Sequence, residues 1–271
     1  MIRAVFFDLD GTLLDSKKQI PESAKAAIRR CREKGVRIYF ATARSPRLDQ
    51  TLNWGEREFA LFDGGIYSNG ACVKLGEDAW YRFIDPKAVR LCVAEAEKYE
   101  DVHYSLHMPQ EGYAFNFPVD ASMHKGWGLA QARICTPDEE AMGRTLKVLL
   151  FYDHLTDSRR ELPTALTSAI QCSCEGIARV YLTDAGRTIQ LSSIEAGKLQ
   201  TIERIRMDEG WSIDEVAVFG DDINDLEMIA FYPRSIAMGN GVEQVKRAAG
   251  WVTRANDEDG IAYALEQYLS Q

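Results

Sequence analysis

The chain opens on the short apolar run Ile2-Arg-Ala-Val-Phe-Phe7, which stops at the polar stretch Asp8-Leu-Asp-Gly-Thr12. A run of this length ended by polar residues predicts a buried strand. Apolar or small residues then recur at Ala24, Ala27, Ile28 and Cys31, between Pro21 and Gly35, which is the period and punctuation of a helix over residues 22–34. A second apolar run, Val36 to Thr42, follows at once. Strand, helix and strand at this spacing make a βαβ unit, hence a parallel sheet covered by helices. The last third repeats the pattern: a helix over 198–209, a strand over 215–220, a helix from Asn224 to Ala230 and a strand over 235–238, then helices over 243–248 and 258–269 flanking a short strand at 251–253.

The middle is patterned differently. Aromatic-rich strand-like pieces (residues 103–106, 112–117, 145–152 and 178–183) alternate irregularly with helical stretches near 86–99 and 156–168. The expected fold class is therefore α/β: a Rossmann-like parallel-sheet core made of residues 1–83 and 191–271, interrupted by an α+β domain over 84–190. Tyr104, Tyr113, Phe115, Phe117 and Trp127 are read mainly as the core of that inserted domain.

Composition narrows the partners. In 271 residues, 41 Asp and Glu stand against 32 Lys and Arg, a net charge of −9. Duplex nucleic acid and anionic membranes are held by neutralising their charge, so neither is an expected partner. A small anion at a local positive site remains compatible. The apolar start is too short for a secretory signal, and no run approaches the ~20 apolar residues of a membrane span. Six scattered cysteines in a chain of this size read as reduced thiols in a cytoplasm. Cys172 and Cys174 alternate within Ala169–Cys174 and are expected on a strand.

Candidate chemistry gathers at the ends of the apolar strands. Asp8 and Asp10 sit where the first strand stops, at the carboxyl edge where open α/β sheets bind ligands, and Gly11 allows the chain to turn away. Asp221, Asp222, Asn224 and Asp225 follow the strand Val216–Gly220. Acidic residues also suit a helix start without any further role. Gathered in one crevice, Asp8, Asp10 and Asp221 would repel one another, and an oxygen-rich cluster with few carboxylates suits Mg²⁺. Thr42 ends the second strand, and Lys198 opens a helix after Gly197. Both are suited to an anion, although either alone is an ordinary polar residue at its position.

Together these pieces resemble the haloacid dehalogenase-like hydrolases: Asp8-x-Asp10-Gly-Thr12, Thr42, Lys198 and Gly220-Asp-Asp-x-Asn224-Asp225 match that family's four motifs in order. Ser68-Asn-Gly-Ala71, the stretch from Ala237 to Lys246 and Asn256-x-Glu-Asp-Gly260 are similar to its Cof-type phosphatases, whose C2-type cap corresponds to the inserted domain. Ala43 replaces the family's usual Gly before Arg44, and Leu199 its usual Gly after the lysine.

The resemblance implies a Mg²⁺-dependent phosphatase of a small phosphorylated metabolite. Asp8 is then the nucleophile that forms an aspartyl-phosphate, and Asp10 is acid to the leaving alcohol and base to the water. It implies Asp8, the Asp10 carbonyl and Asp221 as metal ligands, with Asp222 and Asp225 as supporting groups. Phosphate would be bound by Thr42, Lys198 and Asn224 with the amides of Leu9 and Ala43, beneath a cap that closes on the substrate. A phosphomutase or phosphotransferase and a non-catalytic phosphometabolite-binding regulator are the alternatives. Ser192 and Leu199 break a P-loop reading of Gly197-Lys198, and Gly126-x-Gly128 and Gly239-x-Gly241 lack the third glycine of a dinucleotide fingerprint. His103 and His107 read as strand residues without a metal, and Arg159-Arg160 as a solvated helix face.

Overall fold

A computed structural model describes residues 1–110, 112–119, 127, 129, 132–152 and 160–269. The fold is mixed α/β, and the described chain divides into two compact units. One comprises residues 1–44, 52–79 and 197–271; the other comprises residues 45–51 and 80–196.

The first unit carries a sheet of strands β1 (Ala4–Phe7), β2 (Arg37–Ala41), β3 (Gly64–Tyr67), β4 (Cys72–Leu75), β5 (Asp78–Tyr81), β12 (Val216–Gly220), β13 (Arg234–Ala237) and β14 (Trp251–Val252), in the order β14-β13-β12-β1-β2-β3-β4-β5. All pairs from β14 to β3 are parallel, and β4 runs antiparallel to β3. β1 is buried along its length between β12 and β2, which explains why its sequence is continuously apolar rather than alternating. The chain leaves β1 toward β2 on one side and returns at β12 on the other. The carboxyl end of β1 is thus a topological switch point. Register places Phe7 beside Phe219 and beside Phe40, so the residues following β1, β12 and β2 emerge level with one another.

Helices form where the apolar period places them: Glu22–Glu33 buries Ala24, Ala27, Ile28 and Cys31, and Lys198–Asp208 buries Lys198, Thr201, Ile202 and Ile205. The helix expected from Asn224 begins instead as a 3₁₀ turn, Ile223–Asp225, and becomes α-helical over Leu226–Phe231.

In the second unit, β6 (Val102–His107), β7 (Gly112–Phe115), β8 (Arg133–Cys135), β9 (Lys147–Tyr152), β10 (Ala178–Thr183) and β11 (Thr188–Ser193) form a sheet in the order β10-β11-β9-β6-β7-β8. Strand alternation sends Val102, Tyr104, Leu106, Val148, Leu150, Ile189 and Leu191 into a core shared with Val89, Cys92, Leu166 and Ile170 of the helices Pro86–Ala96 and Thr164–Ser173. Of the aromatics, Tyr104 joins that core, while Tyr113 and Phe115 are buried in a second cluster against which Phe117 and Trp127 pack.

Two local expectations are corrected. Cys172 lies on the helix Thr164–Ser173 and Cys174 caps it, because Leu166 and Ile170 share one face of a helix and bury there, a longer-range pattern than the alternation of Ala169–Cys174. Arg160 is not on a helix; it pairs with Asp101 and lies 3.9 Å from the centre of the Tyr152 ring. The first part of the helix expected over 156–168, Arg159, and the Gly126 and Gly128 pair lie outside the described residues. His103 and His107 are on β6, as their surroundings imply.

Candidate active site

Each strand end delivers one functional side chain. Asp8 is the first residue past β1, with its amide still bonded to the Phe219 carbonyl at 3.0 Å, so its position is set by the sheet itself. Gly11 turns the chain at φ +84°, and a β-carbon there would lie 2.3 Å from Asp221 Oδ2. Glycine is required twice over, for the left-handed backbone and for the close approach of the second acidic motif. Asp221 follows β12 and accepts a hydrogen bond from Thr12 Oγ1 at 2.7 Å.

Lys198, at the first position of its helix, donates to Asp8 Oδ1 at 2.5 Å and to Asp225 Oδ1 at 2.6 Å. Its side chain is 1% exposed and that of Asp225 is 0% exposed. Asp225 is the hub of its loop: its Oδ2 accepts from the amides of Asp221 at 3.0 Å and Asp222 at 3.3 Å. Asp222 is exposed, and its own carboxylate accepts from the Ile223 amide, capping the 3₁₀ turn. Of the two supporting acids only Asp225 therefore orients Lys198.

Carboxylate oxygens of Asp8, Asp221 and Asp225 lie within 4.8 Å of one another. Burial drives the Asp8 carboxyl well above its ordinary pKa; Lys198 opposes the shift, and Asp225 and Asp221 add to it. Burial likewise lifts Asp221 to about 7, against the Thr12 hydrogen bond. Burial disfavours the Lys198 charge, but Asp225 and Asp8 together hold its proton more firmly than in an ordinary lysine. Three carboxylates face one ammonium. An all-oxygen cluster short of positive charge, in which burial makes Asp8 and Asp221 resist ionisation, fits a hard divalent cation.

Thr42 follows β2 and is buried, its amide bonded to the Ile66 carbonyl at 2.8 Å. Its hydroxyl accepts from the Arg44 amide at 3.1 Å, and its carbonyl accepts from the Asn69 amide at 2.9 Å. Asn69, whose φ is +52°, in turn accepts from Asn224 Nδ2 at 3.2 Å. Leu9 and Ala43 occupy the turns after β1 and β2, next to Asp8 and Thr42.

Asp10 stands apart from the buried cluster. Arg44 grips its carboxylate side-on, Nε to Oδ2 at 2.6 Å and Nη2 to Oδ1 at 2.7 Å, and Lys18 Nζ reaches Oδ1 at 2.8 Å. Burial alone would raise the Asp10 pKa, but these two cations hold it below the ordinary range. Sequence reasoning placed Arg44 only as a motif residue and did not find Lys18 or the Asn69–Asn224 pair, because nothing in local spacing reports which way a loop side chain turns.

Comparison with known proteins follows the same lines. The model of the haloacid dehalogenase-like hydrolase family matches residues 5–265. A putative phosphatase of Bacillus subtilis, YkrA, is 28% identical over 273 residues, covering 98% of this chain and 97% of the relative. An HMP-PP phosphatase of Klebsiella pneumoniae is 26% identical over 252 residues, covering 91% and 87%. The crystal structure of a haloacid dehalogenase-like hydrolase from Bacteroides thetaiotaomicron shares the fold, with a TM-score of 0.79 and 24% identity over 99% of this chain and 100% of that one. Among the described residues no helix is long and apolar enough to cross a membrane.

Proposed function

The chain belongs to the haloacid dehalogenase-like hydrolases and is a phosphatase of phosphoric monoesters, and from that premise we propose that Asp8 is its nucleophile and that its substrate is a small phosphorylated metabolite. The observation that carries this reading is the buried Lys198 ammonium bonded to both Asp8 and Asp225, beside an Asp221 lifted to about 7.

Asp8, Asp221 and the Asp10 carbonyl would hold Mg²⁺, which supplies positive charge beside the phosphoryl oxygens when bound. Need for that charge follows from Coulomb's law. Unit charges ~4 Å apart at an effective dielectric of ~20 interact by about 4 kcal/mol, so a carboxylate meeting a phosphate dianion faces roughly twice that.

A carboxylate oxygen of Asp8 attacks phosphorus, the bond from phosphorus to the leaving oxygen breaks, and Asp10 gives that oxygen its proton. Water then attacks the phosphorus of the aspartyl-phosphate and passes a proton to Asp10; the acyl-phosphate bond breaks and inorganic phosphate leaves. Lys198 keeps the nucleophile oriented and balances the charge that builds on phosphoryl oxygen. Thr42, Asn224 and the amides of Leu9 and Ala43 bind the remaining oxygens. Asp10 is held ionised by Arg44 and Lys18, the form the second step needs, so arrival of the ester has to loosen that grip before Asp10 acts as an acid. Residues 84–190 serve as the cap that selects the leaving group.

Two relatives carry names that specify phosphorylated metabolites, an HMP-PP phosphatase and a 5-amino-6-(5-phospho-D-ribitylamino)uracil phosphatase of Bacillus subtilis. Small soluble esters of that kind agree with the acidic net charge. The six free cysteines agree with a cytoplasmic setting. The test is to quench the protein in acid during turnover of a ³²P-labelled ester. A hydroxylamine-labile labelled protein, absent in Asp8→Asn, is expected; phosphate release without any labelled protein would remove the covalent route.

A further inference from the structure

We propose that Lys18 is a positioning residue, which anchors one oxygen of the Asp10 carboxylate while the other works on the leaving group and on water. The proposal rests on the reading of Asp10 as acid and base given above.

The two oxygens of Asp10 are not equivalent. Among the described residues, Oδ2 receives Arg44 Nε alone, at 2.6 Å, whereas Oδ1 receives both Arg44 Nη2 at 2.7 Å and Lys18 Nζ at 2.8 Å. A side-on guanidinium takes one acceptor site on each oxygen, and Lys18 takes the second site of Oδ1, so Oδ2 is the oxygen with room for a reacting atom. When Arg44 gives up Oδ2, Lys18 is the contact that persists on Oδ1. Asp10 then keeps its rotamer while its second oxygen is exposed, as proton transfer in both directions requires.

Lys18 is aimed by a built turn. Asp15 Oδ1 accepts from the amides of Lys17 at 2.9 Å and Gln19 at 2.8 Å, and the backbone closes by Asp15 N–H to Gln19 carbonyl and Lys18 N–H to Asp15 carbonyl, each at 2.9 Å. Lys18 itself takes φ +60°, a left-handed conformation that costs a residue with a β-carbon and that clusters at functional positions. The turn is tied down at a distance, since Asp257 Oδ1 accepts from the Ser16 amide at 2.8 Å and Asn256 Nδ2 donates to the Leu14 carbonyl at 2.8 Å. Fold stability does not explain this arrangement. The Lys18 side chain is 54% exposed, and an ion pair so open to water contributes little to folding.

The experiment compares Lys18→Met, Lys18→Arg and Asp10→Asn on two esters: p-nitrophenyl phosphate, whose leaving group needs no proton, and an alkyl phosphate such as glycerol phosphate. Asp10→Asn is expected to lose about 100-fold more in kcat/KM on the alkyl ester than on the aryl ester. Lys18→Met is expected to lose about 10-fold in kcat on the alkyl ester, with KM held and the aryl ester changed less than about 3-fold. Lys18→Arg should recover most of the loss, and Tm should stay unchanged in both Lys18 variants. If Asp10→Asn shows the split and Lys18→Met does not, Lys18 has no positioning role. A rise in KM alone assigns Lys18 to substrate binding instead, and an equal loss on both esters with a lower Tm makes it structural; either overturns the proposal. An Asp10→Asn variant without the split removes the reading of Asp10 itself, and the inference with it.

Discussion

Each unit of the molecule buries a polar cluster, and the two are built on opposite terms. In the first, Lys198 sits between Asp8 and Asp225 with Asp221 nearby, a set of ionisable groups in which three carboxyls outnumber one ammonium. In the second, His107 bridges two hydroxyls, with Nδ1 3.0 Å from Ser45 Oγ and Nε2 3.0 Å from Ser105 Oγ. Burial, and then the nearby Lys147, hold that imidazole well below its ordinary pKa, so it is neutral. A cluster that only has to fold is satisfied by neutral hydrogen bonds. The other keeps more carboxyl groups out of water than its one ammonium can pair, which folding alone does not reward. The charged cluster is built for what it binds.

The strongest way to break this comparison is at Asp8. Asp8→Asn is expected to lower turnover by on the order of 10⁵-fold, while Tm holds or rises because one of three crowded, buried ionisable carboxyls is removed. Phosphate release and thermal denaturation measured on the same sample check both halves. A variant with full activity, or one that unfolds early, would place Asp8 among structural residues.

Next comes Lys198→Met. It leaves Asp8 and Asp225 buried without their cation, and breaking a buried pair in this way costs about 3–5 kcal/mol. Denaturant titration should show that loss, and adding Asp225→Asn should return part of it. Had Lys198 been a solvated helix residue, the single variant would be nearly silent.

Divalent cation sharpens the contrast further. Chelation should abolish activity, and Mg²⁺ at about 100 times its dissociation constant should stabilise the protein by roughly 2.7 kcal/mol. Asp221→Asn should lose that increment. Substitution of His107 in the second unit should leave it intact.

What was legible in the sequence divides along the same line. Asp8, Thr42 and Asp221 follow short apolar runs, and a sheet that pairs β12, β1 and β2 in parallel register has to bring those ends together. Lys198 was legible because Gly197 punctuates the start of its helix. The remainder depends on contacts between distant segments. The Ser45–His107 bond joins residues 62 apart, and the Lys18–Asp10 pair depends on a left-handed residue in a turn that spacing does not announce. Cys172 and Cys174 alternate locally like strand residues, yet Cys174 is buried in the core of the second unit with Ala88, Leu166 and Ile170. Tertiary burial overrode the local pattern.

The smallest expected effect lies in pH, where the two clusters act with opposite sign. His107 is held below the value of about 6.5 that it has in the unfolded chain, so the unfolded state takes up the proton first. Its contribution to stability is complete above about pH 6.5 and is lost as pH falls, by at most about 1.4 kcal/mol per pH unit. Asp221 is raised to about 7 in the folded state, so without cation its contribution is present at low pH and is lost as pH rises from about 4 toward 7. Bound Mg²⁺ favours the Asp221 anion and removes that term, leaving the His107 slope exposed. Among the described residues, the groups facing His107 are Lys147 opposite it on β9, the two serine hydroxyls, and the Tyr113 and Trp127 rings, so Lys147 is the one charge among these. In saturating Mg²⁺, Tm should therefore fall more steeply between pH 7.5 and 5.5 in the wild type than in His107→Gln, which keeps a neutral polar side chain but cannot titrate. Parallel Tm curves for the two would mean that His107 takes up its proton as readily in the folded state as in the unfolded chain, and the neutral half of the comparison would fail.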